Sequence, residues 1–211
     1  MKSIKIIDKV KPSAKDLQVA GSKQLAHLQQ GAMDGACAVY SMMMCLIIER
    51  IIKRNLVTDP PLSLKRNTSE GRLVRFFLEQ SGMVINGYEL DDLYADLNNA
   101  FKKSVDAHYS EIEKNEDIQE VIEWLDKNHP VEIGFTRKRK ESGHALVAIG
   151  YQIEETKTIL YCLDPGYPMG ECQMWNNVLE IDNTATAQYN CYNMREDSNV
   201  VIDEMMVCVK R

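Results

Sequence analysis

The stretch "QQGAMDGACAVYSMMMCLIIER", residues 29–50, sets small residues and two glycines ahead of Cys37 and an almost unbroken apolar run behind it. A thiol in the first turn of a helix has a chemical use. Free N–H groups and the helix dipole favour negative charge there, which lowers the thiol's pKa and makes the thiolate available. The same N–H groups can receive the oxyanion that forms when a thiolate attacks a carbonyl. Gly35 and Ala36 leave the approach to the sulfur uncrowded. Taken alone, a free cysteine is more often a small buried hydrophobe.

A second segment changes that balance. In "ESGHALVAIGYQ", His144 opens a strong strand, and twenty residues later "YCLDPGYP" closes the next strand on Asp164. Two antiparallel strands joined by "EETKT" bring His144 and Asp164 to one end of a hairpin. An aspartate before Pro-Gly is commonly a turn former, so its placement beside His144 is what argues for a role. Nucleophile, base and a group that orients the base then come from three separated segments.

The elements that must hold these residues fall into two halves. From Cys37 to about Arg54 the pattern is helical and apolar nearly all round, as in a buried central helix. "VTDPPLSLKRNTSEG" reads as a loop. "EGRLVRFFLEQSG", ending on Gly82, "YELDDLYADLNNAFKK" and "NEDIQEVIEWLDKNHP" carry apolar residues at helical spacing. "AKDLQVAGSKQLAHLQQ" is mixed and moderately helical. After Pro130 the period changes to β-branched and aromatic runs: "VEIGFT", "HALVAIGYQI", "TILYCLD", "VLEID" and "VVIDEMMVCVK". The expectation is an α+β fold in one domain over 1–211. Residues 1–30 are a lead-in, 31–129 a helical lobe and 130–211 a lobe of antiparallel sheet.

Composition bounds the function. The chain has 211 residues, 45% apolar and 27% charged, in the range of globular proteins. A net charge of -6 argues against a nucleic-acid binder carried by bulk charge. No run of eighteen apolar residues predicts a membrane span, and "MKSIKIIDKVKPS" lacks a signal-peptide core. Six cysteines at irregular spacing read as free thiols, and a cytoplasmic site of synthesis follows, with export by a route lacking an N-terminal signature left open. Ligand pairs at metal-site spacing are missing, so neither metal nor cofactor is expected. "RKRK" at 137–140 reads as a solvated turn that could also attract an acidic partner. Methionines 42–44 read as core filler; Cys162 reads as ordinary packing or a redox partner for Cys37, and Trp175 as packing near the site or filling the sheet.

"QGAMDGACAVYS" resembles the Gln…Gly-Ser-Cys-Trp-Ala-Phe-Ser segment of papain-like cysteine peptidases. "GHALVAIGY…LDPG" is similar to the Gly-His-Phe-Val-Val…Asp-Pro pattern of the bacteriocin-processing, double-glycine-leader peptidases and their stand-alone bacterial relatives. The resemblance covers about residues 24–168. It implies a papain-like fold, with a nucleophile-bearing helix packed on the sheet, and a peptide or protein substrate. By it Cys37 is the nucleophile, His144 general base and acid, and Asp164 the orienter. Gln30 supplies the side-chain donor of the oxyanion hole beside the backbone N–H of Cys37, with Gln29 and Gln24 as alternatives. No transporter or ATP-binding segment is present, so an export-linked leader peptidase is not expected. The same triad suits a deamidase or a transglutaminase-like acyl transferase, and a papain-like binding protein that no longer catalyses would share the fold.

Overall fold

Helix α1 (Cys37–Ile48) runs through the middle of the molecule, with Ala38, Val39 and every residue from Ser41 to Ile48 buried. Burial on all sides is what its apolar sequence demands, and each large side chain taken fully out of water contributes about 1.5–3 kcal/mol. The helix ends at Ile48 rather than near Arg54. Arg50 takes a left-handed backbone (φ 56), and its N–H donates to Ile47 O while Ile51 N–H donates to Leu46 O. That paired closure satisfies the last carbonyls and stops the helix before Lys53. The computed structural model describes residues 3–14, 16–31, 35–59, 68–79, 87–138, 142–185 and 190–211.

Three short strands precede α1: β1 (Lys5–Ile6), β2 (Val10–Pro12) and β3 (Leu17–Val19). After it come α2 (Asn55–Thr58), α3 (Ser69–Glu79), α4 (Leu90–Ala100), β4 (Val105–Glu111) and α5 (Ile118–Asp126). Six further strands complete the chain: β5 (Val131–Arg137), β6 (Gly143–Ile153), β7 (Lys157–Leu163), β8 (Asn177–Asp182), β9 (Cys191–Asn193) and β10 (Ser198–Lys210). These six pair antiparallel in the order β6-β5-β10-β9-β8-β7, and β7 pairs back onto β6. The sheet therefore closes on itself, which removes the exposed edges an open sheet would carry. β1 pairs with the far end of β6 and β4 with the far end of β10. α1 packs across β6, β5 and β10.

The mixed helix-and-sheet composition fits the α+β expectation, and three local readings change. The stretch read as moderately helical, 14–30, carries strand β3 instead. Leu17 and Val19 are both fully buried and alternate with Gln18, a period of two that pairs with β2. Strand β4 lies inside 31–129, a region read as a lobe of helices and loops. "VDAHYSE" has little apolar content, and its pairing with β10 from Glu204 to Lys210 makes it a strand. Finally, the antiparallel sheet is a closed ring, a property set by the β6–β7 pairing and invisible in any single segment. Residues 60–67 of the predicted loop, and the expected helix stop at Gly82, lie outside the described residues.

Candidate active site

Cys37 is the first residue of α1, and its N-cap, Ala36, provides no side-chain hydrogen bond to the helix. The first-turn N–H groups point the positive end of the helix dipole at the sulfur, and the Ala38 N–H helps hold its charge. On the neighbouring sheet, the β5–β6 register sets His144 opposite Phe135, and their rings meet edge-on at 5.4 Å. The β6–β7 register pairs Val147 with Leu163, so Asp164 leaves β7 beside His144, as the hairpin reading required.

His144 Nε2 lies 2.8 Å from Asp164 Oδ1. The Cys37 thiol lines the same cleft as the His144 ring, and each shifts the other's titration. Asp164 is fully buried, and both its oxygens are occupied. Gly166 N–H donates to Oδ1 at 2.8 Å and Asn177 Nδ2 donates to Oδ2 at 2.7 Å. Gly166 has to be a glycine or yield, since a Cβ there would sit 3.1 Å from Oδ1 and 3.5 Å from His144 Cε1.

A further layer fixes the Asp164 backbone. Asn176 Oδ1 accepts from Asp164 N–H at 2.6 Å, while Asn176 Nδ2 donates to Asp164 O at 2.9 Å. His27 Nε2 lies 2.9 Å from the same carbonyl, and Gln30 N–H donates to Pro165 O at 2.9 Å. The segment before α1 is thereby strapped to the Asp164 turn. Sequence reasoning missed Asn176, Asn177 and His27. The doublet "NN" at the entrance of β8 was a signal of a kind, but nothing in the chain says which carboxylate it meets.

The electrostatics follow from this packing. Burial by itself raises the Cys37 thiol. The His144 hydrogen bond and charge, with the N–H groups of Ala145 and Ala38, outweigh it and bring the thiol below its ordinary value. For His144 burial works against the charged form, yet the bonds to Asp164 and Cys37 raise its pKa to about 9. Asp164 lies below the ordinary carboxylate value, because its bonds to His144 and Asn177 and the His144 charge overcome desolvation. A thiolate–imidazolium pair is the favoured state of such a site at neutral pH. Cys45, Cys162 and Cys208 are buried, and burial pushes each thiol well up.

The three glutamines before α1 separate by place. Gln24 Oε1 accepts from the Arg54 N–H at 2.7 Å, Gln29 is exposed, and Gln30 is half-buried on the strap to Pro165. Of the basic run, Arg137 is paired with Glu196 at 2.5 Å, and 139–140 lie outside the described residues. Trp175 packs on Tyr161 with ring centroids 4.3 Å apart. A cleft of about 730 Å³ opens in front of Cys37 and His144.

A buried helix with a thiol at its head, laid against a sheet that presents histidine and a carboxylate, has the papain-like cysteine peptidase fold. The chain belongs to the Peptidase_C39 like family, whose model matches residues 16–197. Among solved structures, UfSP from C. elegans is similar at 16% identity and a TM-score of 0.47; the match covers all of this chain and 35% of that one. No curated protein matches the sequence.

Proposed function

We propose that this protein cleaves an amide bond in a peptide or protein through a thioester on Cys37. The observation that supports the reading is His144, paired with the fully buried Asp164, lining one cleft with the thiol at the head of α1. The Cys37 thiolate attacks the carbonyl carbon, and the oxyanion is received by the Cys37 N–H and the Gln30 side chain. The His144 imidazolium gives its proton to the leaving nitrogen as the C–N bond breaks. Neutral His144 then takes a proton from water, whose oxygen opens the thioester and releases the acid. Asp164 keeps Nε2 protonated and the ring aimed throughout. Gln30 is favoured over Gln24 because Gln24 already serves the Arg54 backbone.

Cys172 makes the test decisive, since it is exposed and Cys37 is only partly so. Alkylation by iodoacetamide at neutral pH should label Cys37 faster than Cys172. Equal or slower labelling of Cys37 would rule out an activated thiolate. Trapping a bound partner on Cys37→Ala, followed by mass spectrometry after wild-type treatment, separates the outcomes on one triad. A lost peptide bond supports the peptidase; glutamine turned to glutamate, or an unmodified tight partner, overturns it.

A further inference from the structure

The basic run ahead of His144 does not start in a solvated turn. Arg137 is the last residue of β5, opposite Val200 of β10. Its Nε donates to Glu196 Oε2 at 2.7 Å and its Nη2 to Glu196 Oε1 at 2.5 Å. The two side chains of this fork are only 19% and 12% exposed. The third nitrogen, Nη1, donates to Gly143 O at 3.2 Å, and the Arg137 backbone N–H donates to Ser142 O at 3.3 Å. One residue thus holds both carbonyls that immediately precede His144. Gly143 needs the hold. No atom lies within 4 Å of where its Cβ would be, and a glycine in open space is fixed by its hydrogen bonds alone.

A second route runs from the guanidinium to the imidazole. Phe135 and Arg137 share a face of β5, and the guanidinium carbon lies 5.6 Å from the Phe135 ring centroid. The same ring meets His144 edge-on at 5.4 Å. Glu196 comes from the turn between β9 and β10. There the N–H groups of Arg195 and Glu196 both donate to Oδ1 of the fully buried Asn193, at 3.0 and 3.2 Å. From that turn Arg195 also lies over the Tyr167 ring at 4.8 Å, and Tyr167 N–H donates to Asp164 O at 3.4 Å. One turn therefore braces the approach to His144 and the segment that carries Asp164. The Glu196 bond outweighs burial and, with the charges of Cys37 and Asp164, holds Arg137 more firmly in its charged form. That attraction is mutual, so it also favours the thiolate. An ion pair this dry adds little stability over apolar side chains of its size, and what it supplies is a fixed geometry.

We propose that Arg137 is a positioning residue for the reaction: locked by Glu196, its guanidinium fixes the strand entrance and the phenyl ring that aim the His144 imidazole at Cys37. The proposal rests on Cys37 being the nucleophile and His144 its base. Arg137 lies behind the cleft and not in its lining, so it acts through His144. Substitutions separate this role from that of a merely structural ion pair. Arg137→Lys keeps a charge beside Glu196 but has no planar fork, so the pair remains while the bond to Gly143 is lost. Arg137→Gln removes the charge as well. Arg211→Gln makes the same charge change at the Arg211–Asp106 pair, beyond the opposite end of β10.

Iodoacetamide labelling of Cys37 is followed by peptide mapping in mildly acidic and in strongly alkaline buffer, with the exposed Cys172 as internal standard. In acid, Arg137→Gln should label about tenfold more slowly than the wild type, the lower end of what losing a charge partner does to a thiol. Arg137→Lys should be slowed several-fold, and Arg211→Gln not at all. At about pH 10 the thiol ionises without help, so every variant should label at the wild-type rate. A wild-type rate for Arg137→Lys in acid overturns the positioning role, whatever happens to the unfolding temperature. A loss that persists in alkali overturns it too, since access and not ionisation would then have changed. If Arg137→Gln does not fold, Arg137→Lys carries the test by itself. Failure of the nucleophile reading shows separately, as wild-type Cys37 that labels no faster than Cys172 in acid.

Discussion

The two ends of α1 carry nearly the same residue types and do different things. At the head, Cys37 and His144 line one cleft, and His144 meets a buried carboxylate, Asp164. At the tail, Glu49 is a buried carboxylate that accepts from Lys9 Nζ at 2.6 and 2.7 Å, with His129 Nδ1 2.9 Å away. A carboxylate at a helix C-terminus faces the negative end of the dipole, and the lysine and histidine offset that. The tail cluster clasps the N-terminal segment and the turn after α5 onto the helix, and the thiols that feel the Glu49 charge, Cys45 and Cys208, are buried. At the head the histidine stands between a carboxylate and a thiol and faces open space. A histidine beside an acid is a structural clasp or a catalytic base according to its third neighbour and its access to solvent.

Changes at the head should alter rate and spare the fold, and changes at the tail should do the reverse. Cys37→Ala should abolish hydrolysis while thermal unfolding stays near the wild type. Asp164→Asn should lower kcat by about 10⁴-fold through loss of the ring's orientation and charge partner. Near-native circular dichroism must accompany that loss, and a full-rate Asp164→Asn enzyme would remove the triad. Gln30→Ala should lower kcat by about 10²–10³-fold with little change in KM, the size of one oxyanion donor. If Gln29→Ala or Gln24→Ala gave that loss instead, the donor is misassigned.

At the tail, Glu49→Gln leaves Lys9 and His129 without their anion. It should cost about 1–3 kcal/mol and lower Tm by several degrees. The rate at which Cys37 is alkylated should not move. The smallest effects are those of pH. A thiol held below its ordinary value and an imidazole at about 9 place the active ion pair between them. kcat/KM should hold through neutral pH and fall as His144 loses its proton near 9. The linked stability has the same sign: a raised histidine stabilises fully below its ordinary 6.5 and loses that contribution as pH rises towards 9. Asp164, held low, stabilises above 3.8, and this is lost as pH falls through its folded value.

Much of this was legible beforehand. The all-round apolar character of 37–48 announced a buried helix, and the helical spacing of Ile118, Val121, Ile122 and Leu125 marked α5, whose buried face they form. The β6–β7 hairpin could be drawn from two alternating runs and a short turn, and it put His144 near Asp164. Misreadings fell where local pattern was weak. Leu17–Val19 is too short to show a period, and the polar β4 is a strand because β10 lies beside it. Asn176 and Asn177 illustrate the limit within the site. Their amide groups carry no preference for one carboxylate until the closing of the ring brings β8 against β7.

What the amino-acid order determined alone is local: which segments bury, where α1 begins, and that a thiol stands at its head. Helix-end electrostatics and side-chain alternation act over a few residues, so one chain read in isolation contains them. Tertiary structure decided the long-range pairings: the closed ring, the strap from His27 and Gln30 to the Asp164 turn, and the turn that brings Glu196 onto Arg137. Those depend on register between distant strands, which is set by the sum of many packing contacts and by no single motif.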